Sequence, residues 1–157
     1  MYDLAIASRS ALLPSGLLFR NFQYGNADEQ DYVRQVFKLA NKKAARVHVL
    51  RNDDVPCGFV ALAIDDFNKV PSIIIEYLFT SVPFRKLTYP DLGEPPIKIS
   101  EYLIGQVLDM ATDIAAKLPL RYIALQLATD RHEALYSQHG FTRTEGTNWM
   151  SLVIPSV

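Results

Sequence analysis

The chain has 157 residues, 49 % apolar and 21 % charged, with a formal net charge of −1, which is ordinary composition for one globular domain with a substantial core. Net charge therefore imposes no attraction to nucleic acid or an anionic membrane, and only a local patch would supply one. A lone cysteine, Cys57, rules out an internal disulfide framework and fits a reducing compartment. The opening residues, Met1 to Arg9, lack a basic start followed by a long apolar run, so no secretory signal is expected. No apolar run approaches the ~20 residues that span a bilayer. The expected location is the cytoplasm.

Tyr2–Ala7 reads as a strand or a loose arm, and Pro14-Ser-Gly16 as a turn before an apolar run. Asn26 offers an N-cap with Asp28 and Glu29 behind it, and Tyr32, Val33, Val36, Phe37 and Ala40 recur at helical spacing, which predicts a helix over 28–43. Arg46–Leu50 and Gly58–Ile64 read as strands, joined as a hairpin by the Asn52-Asp53-Asp54 turn. Ser72–Thr80 is the clearest strand, and its nearly continuous apolar character predicts a central one.

Residues 81–99 form a long irregular stretch with Pro83, Pro90, Gly93, Pro95 and Pro96, and loops of this length are usually functional or mobile. Ser100 then suits an N-cap for a helix whose apolar face carries Leu103, Ile104, Val107, Leu108, Ala111, Ile114, Ala115 and Leu118, stopped by Pro119. Tyr122–Leu127 is a strand. Asp130 and Glu133 have capping-box spacing before a last helix, and Asn148–Ile154 is the final strand. This order predicts one α/β domain, residues 1–157, with a mixed, mostly antiparallel sheet flanked by helices.

In open α/β sheets ligands bind near the carboxyl ends of strands, and helix N-termini attract phosphate. The strand–loop–helix over 72–118, with the helix start at Ser100-Glu-Tyr102, is therefore the natural ligand site. From Phe22 onward the chain resembles the GNAT superfamily of N-acetyltransferases. Leu135-Tyr136 followed by Gly140-Phe141 matches the family's aromatic/aliphatic-Tyr-x-x-x-Gly-Phe motif, and Ile73–Thr80 before a long helix matches its acetyl-CoA-binding core. Phe22-Gln-Tyr24-Gly25 resembles the Phe-x-Cys-Gly segment of GNAT toxins, with Tyr24 in the cysteine position.

The resemblance implies transfer of an acetyl group from acetyl-CoA to a primary amine by direct attack in a ternary complex. The acceptor is left open among aminoacyl-tRNA, a small molecule and a protein amine, as are a homodimer and an antitoxin partner. By the resemblance, Tyr136 protonates the departing thiolate, and the main chain of Leu78, Phe79 and Thr80 faces the cofactor, with the N–H groups of Leu78 and Phe79 polarising the thioester. As a packed tyrosine, Tyr136 would instead only fill the core.

Glu76 is the only acid in its strand. It either deprotonates the amine or is a paired or solvated glutamate. Alternation places it with Leu78 and Thr80, opposite Tyr77 and Phe79. The family's glycine-bearing pyrophosphate loop is not reproduced. Pro95, Lys98 and Ser100 fall at its positions, of which only Ser100 is small, and Arg85-Lys86 are the alternative source of charge. That departure motivates a competing reading, a GNAT-fold binding protein with weakened CoA use that docks RNA or a protein.

Arg34, Lys38 and Lys42 recur every four residues on the first helix, either tracking RNA phosphates or forming a solvated face. His48, His132 and His139 have no metal-ligand spacing. His139 lines the cleft or caps the last helix, and Cys57, near a strand start, is poorly placed as a nucleophile.

Overall fold

A computed structural model describes residues 1–155. The opening segment is a strand, β1 (Tyr2–Ile6), antiparallel to β2 (Arg46–Asn52), with Leu4 opposite Leu50. The terminal ammonium of Met1 reinforces this pairing by donating to Asn52 Oδ1 at 3.1 Å and Asp53 Oδ1 at 2.8 Å. Asp53 and Asp54, at φ 48° and 74°, make the left-handed turn that suits the twist of a two-residue hairpin. That turn leads into β3 (Val55–Phe67), which is longer than its apolar run predicts. A second left-handed pair, Asn68 and Lys69 at φ 50° and 65°, leads into β4 (Val70–Thr80).

The apolar run after Gly16 is a short helix, α1 (Leu17–Asn21), which buries Leu18 and Phe19. Helix α2 (Ala27–Asn41) starts where the sequence places it, with Asn26 Oδ1 accepting from Glu29 N at 2.8 Å. It buries Val33, Val36, Phe37 and Ala40, whereas Tyr32, predicted on the apolar face, is 42 % exposed. The remaining elements are α3 (Ile99–Ala115), β5 (Tyr122–Gln126), α4 (Glu133–Ser137), β6 (Thr142–Arg143) and β7 (Trp149–Val153). The strands form a seven-stranded sheet in the order β1-β2-β3-β4-β5-β7-β6. Strand β4 runs parallel to β5, while β5–β7 and β6–β7 are antiparallel.

Two helix starts differ from the sequence reading. Ser100 lies inside α3 rather than capping it; Glu101 reaches back and accepts the Lys98 N–H at 3.0 Å, a carboxylate at the positive end of the helix. Asp130 does not cap the last helix. It lies in a short 3-10 turn, Asp130–His132, and both Asp130 and Glu133 turn to Arg143 instead.

Close contacts group the chain into two compact units. The first comprises Met1–Leu62 with Tyr77–Leu103. Its core is an aromatic cluster in which Phe59 meets Phe22, Phe37 and Phe79 at centroid separations of 5.7, 5.4 and 5.4 Å. Gly58 supports a close approach there. A Cβ at this position would lie 2.5 Å from Phe79 O and 3.4 Å from both Thr80 Cα and Ile99 Cγ2. The β2–β3 ladder shifts register beside it, with Leu50 opposite Gly58 but Arg51 opposite Pro56, so Cys57 is the extra residue of a bulge that bends the strand.

The second unit comprises Ala63–Glu76 and the stretch from Ile104 onward. Ile73, Ile74 and Ile75 are buried there, as their continuous apolar run predicts, together with Ile123, Ala124, Leu125 and Met150.

Candidate active site

The candidate cofactor residues fall in the first unit. The β4–β5 ladder covers Ser72↔Tyr122 to Ile75↔Leu125, and β4 continues to Thr80 beyond it. Phe79 is buried at 2 % exposure, while Leu78 and Thr80 are half-buried. The Gly58 approach brings the Phe79–Thr80 main chain beside Ile99, the first residue of α3. The structure thus places the end of β4 near the start of α3, as the strand–loop–helix reading expects. Tyr102 N–H donates to Lys98 O at 3.0 Å, so the amides of Ile99, Ser100 and Glu101 precede the first turn's bonding and point out of the helix start. Helix starts of this kind attract anions, and Lys98 is exposed beside this one.

Arg85 is engaged elsewhere. Its Nε donates to Thr80 O at 2.6 Å, its guanidinium pairs with Glu29, and its carbon lies 5.5 Å from the Phe79 ring centroid. Glu29 also accepts the Gly25 N–H at 2.9 Å. Arg85 therefore ties the segment after β4 to the start of α2. Lys86, the other charge of the pair, is exposed and at φ 65°. In the motif before α2, Tyr24 donates its hydroxyl to Phe19 O at 2.7 Å, and Phe22 is buried. Burial raises the Tyr77 hydroxyl to about 12, with Glu29 adding to the shift, and the Tyr77 ring lies tilted against Tyr32 with centroids 4.7 Å apart.

The two candidate catalytic residues fall in the second unit. Glu76 is half-buried, and its carboxyl is pushed above the ordinary value by desolvation and then by the Asp65 charge. Tyr136 is buried at 6 % exposure on α4, with its ring edge-on to Phe141 at 5.6 Å. The turn after α4 is built from Tyr136 O, which accepts from His139 N at 3.0 Å and Phe141 N at 3.2 Å, with Gly140 at φ 92°. That left-handed φ is why glycine stands there. His139 Nδ1 lies 2.9 Å from Leu135 O, the helix-end contact that was one of its two expected roles.

Sequence reasoning missed Glu29, Glu101 and Arg143. Glu29 and Glu101 each carried only a helix-start signal, and Arg143 stands in a two-residue strand too short to carry a pattern. Among the described residues there is no cluster of three or more His, Cys, Asp or Glu able to hold a metal, and no helix long and apolar enough to cross a membrane.

No family model and no curated protein matches the sequence. Solved structures do. The structure of AtaTR bound with AcCoA superposes with a TM-score of 0.75 at 14 % identity, over 98 % of this chain and 93 % of that one. AtaT complexed with acetyl-methionyl-tRNAfMet gives 0.73 at 12 %, over 98 % and 95 %. A tyrosine-to-phenylalanine mutant of KacT gives 0.73 at 12 %, over 98 % and 95 %. The chain has the GNAT fold. In this fold the mixed, mostly antiparallel sheet appears as the sequence predicts, and it gains an N-terminal strand, β1, that the sequence left open.

Proposed function

We propose that the protein is an acetyl-CoA-dependent N-acetyltransferase acting as one domain on a primary amine. The observation that carries this reading is that β4 leaves the β5 ladder after Ile75 and carries Leu78–Thr80 beyond it. It does so in a fold that, in AtaTR, is bound with AcCoA. Acetyl-CoA is the co-substrate. The Ile99–Glu101 amides with Lys98 hold its phosphates, Lys86 adds charge, and the β4 main chain aligns its pantetheine arm.

Glu76 accepts the proton of the incoming ammonium. Its raised value brings it closer to the range in which a base works at neutral pH. The free amine then attacks the thioester carbonyl directly, so the C–N bond forms as the C–S bond breaks. The N–H groups of Leu78 and Phe79 stabilise the oxyanion, in the manner of preorganised donors. Tyr136 gives its phenolic proton to the departing thiolate. The second proton of the attacking nitrogen, released as the neutral amide forms, restores the phenol by way of solvent, leaving free CoA and the N-acetyl product. No acyl-enzyme is required, and Cys57 is buried with its thiol shifted up by that burial, which keeps it un-ionised.

The acceptor we favour is the amino group of an aminoacyl-tRNA, supported by the structure of AtaT with acetyl-methionyl-tRNAfMet. A protein antitoxin belongs to the same proposal, supported by AtaT structures bound to the C-terminus of the antitoxin AtaR. Charged tRNA and acetyl-CoA meet in the cytoplasm, which is the location this function needs.

One observation favours the competing reading of a CoA-independent binding protein. Glu101 already places a carboxylate at the α3 start, where a pyrophosphate would sit. Titration calorimetry with acetyl-CoA and CoA separates the two, alongside thermal shift, because a ligand that binds only the folded state raises its stability. Heat and stabilisation at submillimolar acetyl-CoA are expected. Absence of both at millimolar ligand refutes the enzyme and leaves the binding protein.

A further inference from the structure

We infer that Arg143 is the positioning residue of Tyr136, a clamp that fixes the short helix α4 from outside the chemistry. This rests on the reading of Tyr136 as the general acid. Helix α4 has only five residues, and neither it nor the Asp130–His132 turn before it has a side-chain cap. A helix that short has no stability of its own and takes its place from tertiary contacts. Arg143 supplies them. One nitrogen, Nη1, donates to Asp130 Oδ1 and to Glu133 Oε1, each at 2.9 Å, and Nε donates to Thr147 O at 2.8 Å.

Three segments are thereby joined: the 3-10 turn, the first residue of α4, and the turn before β7. Strand β7 is itself held in register on β5, with Met150 opposite Leu125. Tyr136 lies three residues after Glu133, on the same face of the helix as the clamped residue. At its other end the helix is closed by the Gly140 turn and the Phe141 ring. These two restraints come from one run, Gly140-Phe141-Thr142-Arg143.

A general acid has to sit within hydrogen-bond reach of the group it protonates, and a misplacement of about 1 Å costs on the order of 100-fold. The planar guanidinium is what allows the junction, since it offers donors in two fixed directions and a lysine offers a point charge. The clamp is exposed, so salt weakens it.

The test compares Arg143→Gln, Arg143→Lys, Tyr136→Phe and the Arg143→Gln/Tyr136→Phe double variant, with acetyl-CoA and methionyl-tRNA. Amide hydrogen exchange is followed on the same proteins. Arg143→Gln is expected to speed exchange over 133–141 and leave 46–62 unchanged. It is also expected to lower kcat by ~10-fold with the KM for acetyl-CoA within ~2-fold, and to abolish the salt dependence of kcat. Arg143→Lys rescues neither. In the Tyr136→Phe background Arg143→Gln has no further effect, which a general loss of stability would not produce. Unchanged exchange over 133–141 in Arg143→Gln overturns the inference, as does additivity of the two changes. If Tyr136→Phe alone turns over normally, the reading of Tyr136 as acid falls, and the positioning role falls with it.

Discussion

Replacing Gly58 by alanine tests whether the close approach of β3 to β4 holds the end of β4 in place. The added Cβ would sit 2.5 Å from Phe79 O and 3.4 Å from Thr80 Cα. The first separation is roughly 1 Å short of a normal contact. Both partners are main-chain atoms, so no side-chain rotation relieves the clash. Overpacking of this kind costs ~1–3 kcal/mol. For a chain of this length each kcal/mol moves Tm by ~2–4 °C, so a drop of ~2–12 °C is expected. Because the strain falls on Phe79 and Thr80, acetyl-CoA binding should weaken as well. Gly105 is the control: its added Cβ meets nothing within 4 Å, and it lies inside α3. Gly105→Ala should therefore raise stability by ~0.5–1 kcal/mol through helix propensity. Scanning calorimetry of both variants, with acetyl-CoA titrations, measures this. A Gly58→Ala protein as stable as the wild type, binding acetyl-CoA equally, refutes the reasoning.

Tyr136→Phe keeps the ring against Phe141 and loses only the hydroxyl, so turnover should fall ~10-fold or more with little change in acetyl-CoA affinity; steady-state kinetics with chemistry rate-limiting decides it. For Glu76 the folded-state carboxyl lies above its ordinary value, so its contribution favours folding at low pH and is lost as pH rises through the folded value. Glu76→Gln should therefore raise Tm at pH 7, and the gain should vanish below the unfolded glutamate value of ~4.3. The same variant should lose the acid limb of the kcat/KM profile, and a limb that persists removes Glu76 as the base. On the basic stripe, Arg34 is paired with Asp31 and lies over the Phe19 ring, while Lys38 and Lys42 are exposed. Lys38→Glu with Lys42→Glu should cut the salt slope of tRNA binding by ~1–2, at ~0.7–0.9 per lost phosphate contact; an unchanged slope assigns the lysines to a solvated face.

The fold was legible where period and length agreed. The continuous run Ile73–Ile75 marked β4 as central, and Val33, Val36, Phe37 and Ala40 marked the buried face of α2. What stayed hidden were side chains whose partners are remote in sequence. Tyr32 fits the helical period, yet it finds Tyr77 rather than the core. Asp130 and Glu133 have capping-box spacing, but a stronger competitor, the Arg143 guanidinium, takes both carboxylates. Glu101 outcompetes Ser100 for the α3 cap because it reaches the Lys98 N–H from inside the first turn. Periodicity reports which face of an element is apolar, and it is silent about which of two polar groups wins a shared donor. The approach of the β4 end to the α3 start was readable because strand–loop–helix order alone places a strand end near a helix start. The Arg143 junction with Asp130, Glu133 and Thr147 was not, because nothing in a two-residue strand announces it.

The chain's departures from the family pattern have local causes. Tyr24, in the place of a cysteine, bonds Phe19 O, and its ring lies 5.3 Å from Phe19 and 5.4 Å from Phe79, so it completes the aromatic cluster behind β4. Arg85 is drawn to Glu29 and Thr80 O, which fixes the segment leaving β4 and takes that charge out of circulation. Glu101 then adds negative charge at the helix start, where a glycine-rich loop would have supplied bare amides. Of these, the Arg85 pairing and the Glu101 carboxylate offset positive charge around the β4 end and the α3 start. On the proposed function, the remaining attraction for the pyrophosphate comes from Lys86, Lys98 and the outward amides of Ile99–Glu101. Two of these are flexible exposed cations, whose contribution salt screens within about 10 Å at 0.1 M. Cofactor affinity in this chain should therefore depend more on ionic strength than that of a glycine-loop enzyme, in which fixed amide dipoles do the holding.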